Sequence, residues 1–275
     1  MRKRFQWSTL VLVALSCLLV LAGCGGKQET ATSGTETAAN GLEAIKQRGK
    51  LVVGVKYDTK LFGLKDPASG KVEGFDIDIA KAVAKHILGD ETKLELKEVT
   101  SKTRITMLQN GDIDAIIATM TISDERKKQV DFSDVYFNAG QSLLVKKGSP
   151  ITGLESLTPD TKVLAVKGST SAKNIREKAP KATILEFENY QDAFNALKAG
   201  KGDALTTDNS ILLGMQKQDP NYILVGGNFT EEPYGIAVKK GQPELLQAIN
   251  DTIKELKSSG EYDKLHEQWL GVKPE

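Results

Sequence analysis

Between Ala115 and Phe137 the sequence AIIATMTISDERKKQVDFSDVYF gathers groups suited to holding a small carboxylate. Thr119 and Thr121 fall two apart, so in an extended chain their hydroxyls point the same way. Ser123 stands where it can cap a helix whose first turn is Asp124-Glu125-Arg126. A helix start beside a strand end collects free amide N–H groups, and the fork of Arg126 can take both oxygens of a carboxylate. The same letters also describe an ordinary solvated helix start with Asp124 paired to Lys128, and this stretch alone leaves both readings open. Catalysis finds little to work with. The two histidines, His86 and His266, sit in amphipathic helix patterns, and there is neither a nucleophile–base pair nor a metal-ligand spacing. No cofactor is implied.

Periodicity supplies the elements that must position these groups. Leu51–Val55 is a β-branched run that reads as a buried strand ending in Lys56-Tyr57-Asp58. A loop follows, and Phe75–Ile87 places Ile79, Val83 and Ile87 on one helical face that Gly89 closes. Leu94–Val99 alternates as a strand, Lys102–Gln109 reads as a short helix, and Gly111-Asp112 turns the chain into the apolar strand at Ala115. This is βαβαβ, a parallel sheet covered by helices. After Phe132-Ser133-Asp134 the pattern changes at Gly140, which predicts a domain crossing. A second series then repeats the architecture: strands Lys162–Val166, Thr183–Phe187, Asp203–Thr207 and Tyr222–Val225, with helices from Ser171, over Tyr190–Ala199 and over Asp208–Gln218. Pro233–Val238 is a further strand, and helices Pro243–Ser258 and Glu261–Leu270 return to the first domain. The expected division is 41–143 with 235–275 as lobe 1 and 144–234 as lobe 2, with a cleft where the carboxyl ends of parallel strands meet.

At the N-terminus Arg2-Lys3-Arg4 precede the apolar run Leu10–Leu21, which is short for a membrane span and reads as a signal peptide over residues 1–23. Leu21-Ala22-Gly23-Cys24 resembles the bacterial lipobox, which implies lipidation at Cys24 and anchoring to the membrane. The stretch 24–40 is rich in Gly, Ser, Thr and Ala and reads as a flexible tether. Cys17 leaves with the signal peptide, so no disulfide is expected. Losing Arg2, Lys3 and Arg4 takes the 37 basic residues to 34 against 36 acidic ones. A net charge of −2 on these counts does not favour nucleic acid.

Several ordered motifs now form a recognisable set: Gly74-Phe75-Asp76-Ile77-Asp78, Gly111-Asp112-Ile113-Asp114-Ala115, Thr119 through Lys127, Asp131-Phe132-Ser133 and Tyr234-Gly235-Ile236-Ala237. Together they resemble the polar amino acid-binding proteins of ABC importers, solute-binding family 3, from about Leu51 to Gly271. The resemblance implies the type II periplasmic-binding-protein fold, with two α/β lobes joined by a two-strand hinge and closing on one amino acid. It also implies a permease with its ATPase as partner, an extracytoplasmic location and a monomer. In such proteins the residue matching Arg126 clamps the ligand α-carboxylate, assisted by Thr121, with Thr119 on the same wall and Thr170 and Ser171 reaching from lobe 2. The acid matching the α-ammonium acceptor is Asp208, which could equally cap the helix that follows it.

At the distal end of the ligand this chain departs from the enterobacterial glutamine binders. Lys56 stands where those carry an acid, and Arg104 where they carry an apolar residue. The Lys-Thr-Arg pattern at 102–104 resembles the aspartate/glutamate-binding branch. Two added cations predict glutamate or aspartate in preference to glutamine. Glutamine is the alternative if Asp58, Glu98 or Asp76 neutralise them. Tyr57 and Phe62 are candidates to pack on the ligand stem or to cover the hinge. A dehydratase-type enzyme on the same fold and a sensory ligand-binding module are the rival classes.

Overall fold

The structure, a computed structural model, describes residues 41–274. The expected signal peptide, the Cys24 lipidation site and the tether lie outside the described residues. In chain order the elements are α1 (Gly41–Arg48), β1 (Leu51–Val55), β2 (Asp58–Thr59), β3 (Gly63–Lys65), β4 (Val72–Glu73), α2 (Phe75–Leu88) and β5 (Leu94–Glu98). Next come α3 (Arg104–Asn110), β6 (Ala115–Ile116), α4 (Asp124–Lys127), β7 (Val130–Ala139), β8 (Gln141–Lys146), β9 (Lys162–Val166), α5 (Thr170–Lys178) and β10 (Thr183–Phe187). The chain continues through α6 (Tyr190–Lys198), β11 (Ala204–Asp208), α7 (Asn209–Gln218), β12 (Tyr222–Val225), β13 (Glu232–Lys239), α8 (Pro243–Ser258) and α9 (Glu261–Leu270).

Two five-stranded sheets share one design. The first runs β5-β1-β6-β13-β7, and the second β10-β9-β11-β8-β12. In each, three parallel strands are followed by a fourth antiparallel to them and a fifth antiparallel to the fourth. Parallel strands need helices on both faces, and β1 and β11 are buried at every position, as such strands must be. The fourth strand of each sheet, β13 and β8, adjoins a crossing in the chain. One crossing is Gly140, between β7 and β8, and the other is 226–231, between β12 and β13. This is the two-lobe, two-crossing arrangement of the type II periplasmic-binding-protein fold.

The lobe limits need correction. Gln141–Leu143 pair with β11 and β12 in the second sheet, and Glu232–Tyr234 pair with β7 in the first. Both crossings are thus displaced by a few residues, because their strands run straight on from the turns into ladders. β2, β3 and β4 form a small three-stranded sheet where the sequence reads as loop.

Each lobe has its own core. In the first, Phe62, Phe75, Tyr136, Phe137, Tyr234 and Tyr262 form an aromatic cluster roofed by Leu245, Ile249 and Ile253 of α8. In the second, Tyr190, Phe194 and Tyr222 pack with Leu164, Leu205 and Leu212. Caps align the helices that face the cleft. Ser123, Ser169 and Asn189 accept from the backbone N–H of Arg126, Ala172 and Asp192, each satisfying a donor that the helix start leaves open. Among the described residues no helix is long and apolar enough to cross a membrane.

Candidate functional site

The segment after β6 builds the first wall. Ile117 and Ala118 are fully buried, and Thr119 then takes φ 45°, a left-handed conformation costly for a β-branched residue. Thr121 forms an isolated bridge with Tyr234. The Ser123 cap places Arg126 on the first turn of α4 with its side chain turned inward, 8% exposed. Its Nη1 donates to the Thr121 carbonyl at 2.8 Å and its Nη2 to the Gly168 carbonyl of the second lobe at 3.2 Å. Gly168 has φ 75°, and a Cβ there would lie 2.7 Å from Lys102 Cα, so the close approach of the two lobes at this point requires glycine.

Arg104 opens α3 and is buried. Its Nη1 donates to the Ala118 carbonyl at 2.7 Å, while its Nε has no partner. Thr119 Oγ1 is the other buried side-chain atom left unpartnered among the described residues. Buried polar atoms rarely go unsatisfied, because desolvation without a hydrogen bond is costly. Lys56, fully buried at the end of β1, donates to Ser101 Oγ at 3.0 Å and lies 4.9 Å from the ring centre of Tyr190. Burial pushes its pKa down to about 8, with Asp58 opposing.

The second wall supplies Asp208, Thr170 and Tyr190. Asp208 occupies the cap position of α7, yet its side chain makes no cap hydrogen bond. Its Oδ2 instead accepts from Tyr234 OH at 2.6 Å, which disposes of the capping alternative. Burial and the neighbouring Glu232 push its pKa up to about 7, against the Tyr234 hydrogen bond and Arg126. Thr170 Oγ1 lies 3.5 Å from Thr121 Oγ1 across the cleft, accepts from Gln141 Nε2 at 3.0 Å and donates to Glu232 Oε2 at 2.8 Å.

The structure therefore brings Arg126, Thr121, Thr119, Thr170, Asp208, Arg104 and Lys56 together where the two lobes meet. The three other candidates have partners within their own lobes. The Ser171 hydroxyl is taken by Ser169 Oγ at 2.8 Å. Phe62 is a core residue, edge-on to Phe137 at 5.2 Å and fully buried by its own lobe. Tyr57 OH donates to the Leu96 carbonyl on β5, away from the cleft.

Two further groups beside these residues escaped sequence reading, and a third, Asp76, enters it only as one of three possible neutralisers of the cations. Tyr190 contacts Lys56 and accepts from Thr207 Oγ1 at 3.3 Å. Glu232 is buried and holds Thr170 and Asn174. Asp76, also buried, accepts from Thr119 N and from Tyr136 OH, both at 2.9 Å.

The profile of bacterial extracellular solute-binding proteins, family 3, matches residues 51–272. The ABC transporter glutamine-binding protein GlnH of Bacillus subtilis is 61% identical over 274 residues, covering 100% of this chain and 99% of that protein. A glutamine-binding protein of Geobacillus stearothermophilus is 61% identical over 253 residues, with 90% and 97% covered. Among solved structures, an ancestral arginine-binding protein bound to glutamine superposes with a TM-score of 0.76 at 48% identity, covering 82% of this chain and 99% of that one. The curated relatives are binding proteins rather than enzymes, and the family is an extracellular one, which places the chain outside the cytoplasm. With its two α/β lobes, its two crossings and this coverage, the chain belongs to the bacterial extracellular solute-binding proteins, family 3.

Proposed function

We propose that the protein is the glutamine-binding component of an ABC importer, closing its two lobes on one amino acid and delivering it to a permease and its ATPase. The observation that carries the ligand class is the pair formed by Arg126 and Asp208. Both are buried and they come from opposite walls. Arg126 donates to two backbone carbonyls, and Asp208 accepts from a tyrosine hydroxyl. A zwitterion fits between them, its α-carboxylate on the Arg126 fork with Thr121, Thr119 and Thr170 beside it, and its α-ammonium on Asp208. The side chain then runs toward Lys56 and Arg104.

Glutamine replaces the glutamate or aspartate expected from counting cations. The support is 61% identity, over essentially the whole length, to a protein described as glutamine-binding. The physical reason is that Lys56 and Arg104 do not stand alone, since Asp58 and Asp76 exert opposing charge on Lys56, and Asp76 feels both cations. Closure is a population shift driven by the ligand's contacts with both walls. The reading includes export by residues 1–23, lipid attachment at Cys24, a tether to residue 40 and action as a monomer. It is tested by isothermal titration of the protein, unfolded and refolded to strip bound ligand, with glutamine, glutamate, aspartate and arginine. Glutamine should bind at least tenfold more tightly than glutamate, and a reversed order would sink the glutamine assignment.

A further inference from the structure

The peptide group joining Ala118 to Thr119 is gripped at both of its polar ends. Arg104 Nη1 donates to its oxygen at 2.7 Å, and its N–H donates to Asp76 Oδ2 at 2.9 Å. A trans peptide points oxygen and hydrogen to opposite sides, so the guanidinium and the carboxylate face each other across this group without touching. The second Asp76 oxygen takes the Tyr136 hydroxyl. Both oxygens of a fully buried acid are therefore held by neutral donors. An acid in that position is costly to ionise unless its surroundings offset the burial: burial pushes the Asp76 pKa up to about 7, opposed by the Tyr136 and Thr119 hydrogen bonds and then by the cations Arg104 from α3 and Lys56 from the end of β1. Thr119, which follows the gripped peptide, is the residue held at φ 45° with an unpartnered hydroxyl. Asp76 is thus tied to the geometry of the ligand wall as well as to its charge.

We propose that Asp76 is a specificity-determining residue: its charge, relayed to Arg104 through the Ala118–Thr119 peptide, offsets the positive end of the pocket so that a neutral carboxamide is preferred to a carboxylate. The inference rests on the glutamine-binding reading and says which residue makes that selection. With Asp76 ionised, Lys56 and Arg104 are balanced by Asp76 and Asp58, and a ligand carboxylate would bring a negative charge with no spare cation to meet it. Without Asp76, one cation is left over and an anionic side chain supplies the match.

The variant Asp76→Asn isolates the charge. Its amide oxygen can accept from Thr119 N–H, and its amino group can donate to the Tyr136 oxygen, so both hydrogen bonds have a counterpart. Wild type and variant are titrated with glutamine and with glutamate at pH 7.5, between the Asp76 value of about 7 and the Lys56 value of about 8, where both groups are mostly charged. The glutamine-over-glutamate affinity ratio should fall at least fivefold in the variant, chiefly through tighter glutamate. A smaller change overturns the proposal, including equal weakening of both ligands, which is what a purely structural role would produce. Should Asp76→Asn fail to fold, Tyr136→Phe removes one donor that favours the ionised acid, and at pH 7 it should move the ratio the same way by at least twofold. A ratio that stays put there also overturns the proposal. Failure of the glutamine reading itself is seen separately, since wild type alone would then prefer glutamate or bind neither ligand.

Discussion

On the first-lobe wall Lys56, Arg104 and Arg126 leave the ends of β1, α3 and α4 as buried cations, whereas the second-lobe wall presents Asp208, Thr170 and Tyr190 from β11, α5 and α6. Among the described residues every buried Lys or Arg belongs to the first lobe. The two sheets have matching strand order, so topology does not account for the contrast. It arises at strand ends and helix starts, where a single residue can change the sign of a wall without disturbing a ladder. The comparison teaches that architecture and recognition are separable here. Two similar scaffolds are given opposite charge, and a zwitterion can satisfy both at once.

Removing the acid from the second wall breaks the comparison most severely. A hydrogen bond to a charged partner contributes about 1.5–3 kcal/mol, so Asp208→Asn should weaken glutamine roughly ten- to a hundredfold by titration calorimetry. The pH dependence has a definite sign. Burial first, and Glu232 second, raise the Asp208 pKa to about 7. A raised carboxyl pKa contributes stability that is fully present below about 4 and is lost as pH rises through about 7. The unliganded protein should therefore lose thermal stability from pH 5 to 8. A bound ammonium favours the ionised acid, so the gain in Tm on adding glutamine should grow over the same range. In Asp208→Asn that growth should be reduced, and an unchanged pH profile would remove Asp208 from the ammonium site.

Most of the scaffold was legible before any coordinates. The strands at 162–166, 183–187 and 222–225 and the helices at 243–258 and 261–270 fall where periodicity places them, because short apolar runs and amphipathic faces carry clear periods. β2 to β4 are two or three residues long, too short to show one. β7, with its bulged pairing to β13, breaks strict alternation and was not read as a strand. The cations of the site were also legible, since Arg126 follows a cap and Lys56 ends a strand. Their counter-charges were only partly legible, because Asp76, an ordinary-looking first-turn acid on α2, stood as one of three acids that could neutralise them. Tyr190, a neutral neighbour of Lys56, looks like a plain helix start after Asn189. The expectation of glutamate or aspartate weighed the two cations above the acids that could neutralise them, and the glutamine-binding relatives favour the alternative in which those acids count.

A contact between the walls can be blocked without touching any charge. A Cβ built on Gly214 of α7 would lie 2.5 Å from the Lys60 carbonyl oxygen of the other lobe. Gly214→Ala must therefore displace backbone for closure to occur. Within α7 alone the same change is favourable, since alanine exceeds glycine in helix propensity by about 1 kcal/mol. The two effects have opposite signs and separate cleanly. Glutamine affinity should fall roughly tenfold, while the unliganded Tm stays level or rises. Small-angle scattering should show a smaller compaction on adding glutamine. If affinity were kept, this closed contact would not belong to the liganded state.

The smallest effect belongs to a charge pair that crosses the cleft at its rim. Lys173 Nζ of α5 lies 3.5 Å from Glu125 Oε2 of α4, with side chains 63% and 71% exposed. It links α4 to the second lobe, as the Arg126 to Gly168 hydrogen bond does, yet water surrounds it. Exposed pairs contribute about 0–1 kcal/mol because solvent screening and side-chain entropy offset the attraction. Lys173→Met should therefore change glutamine affinity by less than about threefold, and raising the salt concentration should shrink even that difference. The buried charges should be far less sensitive to salt. A tenfold loss in Lys173→Met would mean that closure is driven by the rim as well as by the walls, and the contrast between the lobes would then have to include their surfaces.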